Sequence, residues 1–96
     1  MEKGYTRLTA RLVDASQLHV FEYVDSDLTK VKYAYHYLDP DGRIVFRYDN
    51  EPHYPALATF PHHKHLSEIG KPVESIEASV ETILEEVART LAKRPR

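Results

Sequence analysis

The chain has 96 residues, no cysteine, and 13 Lys and Arg against 15 Asp and Glu, for a formal charge of −2 with histidine neutral. That length suits one domain, 1–96, with a single modest core, and the missing thiols exclude disulfides and thiolate metal sites. The charge balance argues against non-specific coating of nucleic acid, which relies on many cation–phosphate contacts, but leaves room for a small local site.

The start, MEKGYTRLTA, lacks the apolar block of a signal peptide. No apolar run approaches the roughly 20 residues of a membrane helix, so a soluble, cytoplasmic protein with no membrane attachment is expected. From Thr6 to Val13 the residues alternate, with Leu8, Ala10 and Leu12 on one face and Arg7, Thr9 and Arg11 on the other. This is the period of a half-buried strand. Asp14-Ala15-Ser16-Gln17 closes a hairpin into a second strand, Leu18 to Val24, whose Leu18, Val20 and Val24 share a side with Glu22, while His19, Phe21 and Tyr23 face the opposite way. Asp25-Ser26-Asp27 marks a turn. Val31 to Leu38 follows, with Tyr33, Tyr35 and Tyr37 at period two, a density of strand formers that disfavours a helix.

Asp39-Pro40-Asp41-Gly42 has the chemistry of a type I turn followed by a G1 bulge, with glycine supplying the positive φ. That geometry sets Asp39 opposite Arg43 and predicts the pairs Leu38 with Ile44, His36 with Phe46 and Ala34 with Tyr48 on a mostly apolar face. The other face then pairs Tyr37 with Val45, Tyr35 with Arg47 and Tyr33 with Asp49. Glu68 to Pro72 reads as a turn and Val73 to Ile76 as a short extended piece. Ser79 is placed to cap a helix whose Val80, Ile83, Leu84, Val87, Ala88 and Leu91 form an apolar stripe. Glu81, Glu85, Glu86 and Arg89 should face water, and the helix should run to about Lys93, with Arg94 completing its basic end before Pro95. The expected fold is α+β: an antiparallel meander of four to five strands packed by one C-terminal helix.

The stretch RYDNEPHYPALATFPHHKH, Arg47 to His65, holds four of the six histidines and three of the six prolines. His63 and His65 point the same way if extended. With His62 or His53 nearby and Asp49 added, they offer imidazole and carboxylate ligands for zinc, nickel or copper; His53, His63 and His65 are the metal candidates, and a divalent ion is optional. A metal-free ribonuclease instead needs a base for the 2′-hydroxyl, an acid for the leaving 5′-oxygen and a cation over the phosphate. Histidine fills either proton role, Arg47 can grip a phosphate bidentately, and Tyr33 and Tyr35 offer stacking surfaces for unpaired bases. Glu22 is a candidate base if it lies at the same site, although a cross-strand ion pair with Arg47 serves equally well. His36 reads as a core-edge histidine and His19 as a surface residue. The stiffening prolines also suit a loop that docks a protein partner without catalysis.

The run KYAYHYLDPDGRIVFRYDNEPHYPALATFPHHKH resembles the signature of the TumE-type toxin family of prokaryotic toxin–antitoxin systems: a Tyr-x-Tyr-His strand, an Asp-Gly turn, Arg47 to Asn50, Pro52-His53, and Phe60 to His65. Tyr54 departs from it, standing where many members carry a second histidine. The resemblance implies a toxin that arrests growth by attacking RNA or translation, a ribonuclease in the reading adopted here, held inactive by a DNA-binding antitoxin; a homodimer is compatible with it. On that reading Asp49 with His63 or His65 transfers protons, Arg47 clamps phosphate, Asn50 orients it and His53 protonates the leaving group. Glu22, Tyr35, Arg47 and the histidines are then expected on one surface patch.

Overall fold

The alternating first half folds as a meander, in a computed structural model that describes residues 4–25, 27, 30–67 and 70–93. Strands β1 (Gly4–Arg11), β2 (Gln17–Val24), β3 (Lys30–Leu38) and β4 (Ile44–Asp49) are continued by β5 (His63–Leu66) and β6 (Val73–Glu74). They form a single six-stranded sheet in chain order, every neighbouring pair antiparallel. Among the described residues the count of four to five strands is thus corrected to six. The histidine-rich segment contributes β5, and the extended piece after Pro72 pairs with it, His63 opposite Glu74. Of the residues assigned above to turns and to the helix stop, Ser26, Glu68, Ile69, Arg94 and Pro95 lie outside the described residues.

The turn at Asp39–Gly42 forms as its chemistry dictates. The Asp39 N–H donates to the Arg43 carbonyl at 2.8 Å, Asp39 Oδ1 accepts from the Asp41 and Arg43 amides, and Gly42 takes φ +84°. Leu38 pairs with Ile44 as expected, but Tyr37 then pairs with Phe46, His36 with Arg47, Tyr35 with Tyr48 and Ala34 with Asp49. Val45 and Phe46 together oppose Tyr37, so β4 carries a bulge, and from that point the register is one residue away from the predicted one. Because side chains alternate with period two, a one-residue slip exchanges the faces of everything beyond it.

One face of the sheet is therefore built from Leu18, Val20, Tyr33, Tyr35, Tyr37, Phe46 and Tyr48, all buried. Helix α1 (Val80–Lys93) closes this face with Ile83 and Val87, joined by Ala78. Ser79 caps the helix, its Oγ accepting from the Thr82 amide at 3.3 Å and its carbonyl from Ile83 at 3.0 Å. The helical stripe is narrower than predicted, since Leu84 and Ala88 remain exposed. Glu86, expected in water, instead accepts a hydrogen bond from the Tyr48 hydroxyl at 2.6 Å. Among the described residues β1 is exposed over nearly its whole length and adds little to the core.

The buried Ile83 anchors the only described helix to the sheet, so Ile83→Ala should lower the unfolding free energy by about 2–5 kcal/mol, the usual cost of a large-to-small core change. Gly42→Ala should cost about 1 kcal/mol through its left-handed backbone. Both losses are read by urea unfolding followed by circular dichroism.

Candidate functional site

Turning the tyrosines inward sends the polar complement of each strand outward. Along the face that α1 leaves open, the pairing sets Thr9, His19, His36, Arg47 and His65 side by side across β1 to β5. The parallel row is Arg7, Phe21, Ala34, Asp49, His63 and Glu74. These rows hold most of the molecule's histidines, and a concavity of about 390 Å³ opens beside them, lined by Arg7, Thr9, Phe21, Ala34 and His36 among others.

Asp49 is the hub. Its carboxylate is 3% exposed, with Oδ2 accepting from Arg47 Nε at 3.1 Å and Oδ1 from the Glu51 amide at 3.0 Å. His63, also buried, donates from Nδ1 to the Pro61 carbonyl at 3.0 Å and holds Nε2 2.9 Å from Asp49 Oδ1. That last approach is off-line for a hydrogen bond, so the contact is electrostatic, an ion pair whenever the ring carries both protons. Arg47 reaches the other way as well, donating from Nη2 to His65 Nε2 at 3.1 Å. Its guanidinium is thereby fixed between a carboxylate and an imidazole while its side chain stays 34% exposed.

Two imidazoles beside Arg47 are held toward the neutral form. His36 is pushed below the ordinary histidine value by burial first and by the Arg47 charge second, with Asp49 opposing and His19 and His65 adding to the depression. His65 is lowered by burial, then by Arg47 and His63, again against Asp49. Among the described residues no side chain hydrogen-bonds the His36 ring, and His36 lines the concavity. His19 differs: Nε2 meets Gln17 Oε1 at 3.1 Å and Nδ1 meets the Thr9 hydroxyl at 3.2 Å, which a neutral ring satisfies by donating to the first and accepting from the second.

The single patch expected from sequence is not what forms. His63, His65, Asp49 and Arg47 do converge, but Glu22, Tyr33 and Tyr35 lie on the helix-covered face. The Tyr35 hydroxyl donates to Glu22 Oε2, and Lys30 Nζ donates to that hydroxyl at 3.1 Å and to the Ala78 carbonyl. Burial and the Glu22 carboxylate together raise the Tyr35 pKa far above its ordinary value. Tyr33 stacks on His62, whose Nδ1 lies 2.9 Å from the Tyr33 hydroxyl, so neither residue reaches Arg47. The physical reason is the bulge in β4, which the turn chemistry alone does not reveal. Asn50 is occupied locally, its Oδ1 accepting from the Tyr33 amide at 3.0 Å and so extending the ladder beyond the end of β4.

His53 sits exposed on the loop after β4, and the Tyr54 ring stands between it and the cluster, 6.2 Å from His53, 5.0 Å from His63 and 6.0 Å from His65. The residues whose ligand atoms come within 4.8 Å of one another are Asp49, His63 and His65; this set could hold a transition metal, beside an Arg47 cation already paired with two of its members, and it does not include His53. His36 and His19 are the residues that sequence reasoning passed over. The signal lay in Ile44-Val45-Phe46, three consecutive apolar residues that break the alternation of β4.

Comparison with known proteins gives one family: the family described as Toxin TumE matches over residues 1–91 of this chain. No curated protein and no solved structure matches the chain. No helix among the described residues is long and apolar enough to cross a membrane.

A histidine whose pKa is lower in the folded than in the unfolded chain adds stability that is present above the unfolded value, about 6.5, and is lost as pH falls through the folded value. Stability should therefore decline as pH falls below about 6.5. The charged and titratable groups that set the His36 environment are Arg47 and Asp49 from β4, His19 from β2 and His65 from β5. Replacing His36→Asn should flatten part of that decline, measured as the urea midpoint at each pH; a parallel decline in both proteins would contradict the assignment.

Proposed function

The chain belongs to the TumE toxin family, the toxin half of a toxin–antitoxin pair, and from that premise we propose that it acts as a ribonuclease on the open face of its sheet. The observation that carries this reading is the cross-strand row His36, Arg47, His65. Flanking strands lie one spacing to either side, so the two imidazoles start about 10 Å apart, with a fixed cation between them. That is the arrangement an in-line displacement at phosphorus requires.

In this mechanism Arg47 binds the scissile phosphate and stabilises the charge that grows on its oxygens. His36, whose ring is free of protein partners among the described residues, takes the 2′-hydroxyl proton as O2′ attacks phosphorus. The P–O5′ bond breaks, and the leaving 5′-oxygen receives a proton from His65, whose ring takes up that proton once the phosphate has drawn Arg47 away from its Nε2. The products are a 2′,3′-cyclic phosphate and a 5′-hydroxyl end. Asp49 and His63 are too buried to touch substrate; they position Arg47. The role given to Asp49 thus moves from proton transfer to orientation, and no step requires His53, Glu22 or the strand tyrosines. A DNA-binding antitoxin would silence the protein by covering this face.

The test is cleavage of a single-stranded RNA by purified, tag-free protein, with and without chelator. We expect cleavage that survives chelator and yields cyclic phosphate. His36→Ala and His65→Ala should each reduce the rate by about 10²–10⁴, whereas Glu22→Gln should leave it unchanged. Cleavage abolished by chelator would move the chemistry to the Asp49, His63 and His65 set; intact RNA under every condition would make the open face a docking surface and end the ribonuclease reading.

A further inference from the structure

Resting on that reading, we infer that the substrate is single-stranded, and that the concavity beside the proposed phosphate site is a slot for one unpaired nucleobase, floored by Ala34 and walled by Phe21 and Arg7. In the row Arg7, Phe21, Ala34, Asp49, His63, every position but one carries a long or planar side chain. Ala34 ends at its Cβ, so the open face has a gap one side chain wide beside Phe21, and the concavity opens there toward Thr9 and His36. The next outward-facing residue along β3 is His36. The concavity, about 390 Å³, is at the lower end of the range for small-molecule sites and larger than a base.

The walls have the chemistry of a base site. Phe21 is half-buried with Tyr5 6.4 Å away, centroid to centroid, and the Arg7 guanidinium stands 5.0 Å over the Phe21 ring. An aromatic ring and a guanidinium plane are the two surfaces on which unpaired bases stack, whatever their sequence. Arg7 also brings a cation to the outer side of the slot, where the neighbouring phosphate would pass. The reach is right: Phe21 and His36 are one strand and two residues apart, roughly 8 Å, about the length of a nucleotide from base to flanking phosphate. A duplex cannot use this slot, because its bases are stacked on one another and the A-form major groove is too narrow to admit a strand edge. The aromatic platform is thus not the predicted Tyr33 and Tyr35, which are buried, but a pair of residues on β1 and β2.

The probe is a fluorescein-labelled 2′-O-methyl oligoribonucleotide, which lacks the attacking hydroxyl, presented single-stranded or annealed to its complement, with binding read by anisotropy and cleavage of the unmodified RNA followed in parallel. The single strand should bind more tightly than the duplex. Phe21→Ala, and Ala34→Leu, which fills the slot from the solvent side without entering the core, should each weaken single-strand binding about tenfold or more. Phe21→Leu, which keeps the apolar contact with Tyr5, should weaken it similarly while its melting curve matches the parent. Equal affinity for duplex, or unchanged affinity in Ala34→Leu and Phe21→Leu, overturns the slot while cleavage by the parent protein leaves the ribonuclease reading standing. A parent that neither binds nor cleaves the single strand overturns both.

Discussion

The bulge at Val45 is the constraint from which both faces of this protein follow. Without the extra residue in β4, the meander would continue in the register set by Asp39 and Arg43, and Arg47 and Asp49 would point toward the helix. Two charged groups would then have to be buried among aromatic rings, at a cost of several kcal/mol each. With it, Phe46 and Tyr48 join Tyr33, Tyr35 and Tyr37 beneath α1, and the charged residues meet the histidines of β5 in the open. A single inserted residue separates core from chemistry.

The covered face shows why so many tyrosines can be buried in a small domain. Each hydroxyl finds a partner: Tyr35 at Glu22, Tyr37 at the buried Ser16 Oγ at 3.0 Å, Tyr48 at Glu86, and Tyr33 beside His62. Buried rings contribute large apolar area while their polar ends stay satisfied. The same logic rules the open face in reverse. There a buried carboxylate, Asp49, is compensated by Arg47 and a backbone amide, and the fixed guanidinium is what orders the imidazoles around it.

Much of the fold was legible because its signals are local. Alternation identified β1 to β4, glycine with its acidic neighbours identified the turn at Asp39–Gly42, and a cap with a periodic stripe identified the helix. His63 and His65 were rightly placed side by side, since an i, i+2 pair on a strand shares a face whatever the register. What failed was everything that depended on the relative phase of β3 and β4. Tyrosine is as much at home on a solvated face as under a helix, so Tyr33, Tyr35 and Tyr37 could not reveal their own side. His36 was misplaced with them, and Arg47 was expected on the face where Glu22 lies. His53 was beyond reach for another reason: the residues between Asn50 and His62 have no period from which direction can be read, and only the packing of Tyr54 against the β5 histidines decides where that loop lies.

The exposure of β1 on both faces has a consequence for motion. Its ladder to β2 is made of backbone hydrogen bonds with little apolar burial behind them, so it should open at a small fraction of the free energy of global unfolding, and its amides should be among the first to exchange with solvent. Arg7 travels with that strand, whereas Phe21, Ala34, His36 and Arg47 sit on strands whose other faces belong to the buried core. One wall of the concavity is thus hinged to an exposed edge strand and the rest to the buried core, so its width should fluctuate while its floor stays in place.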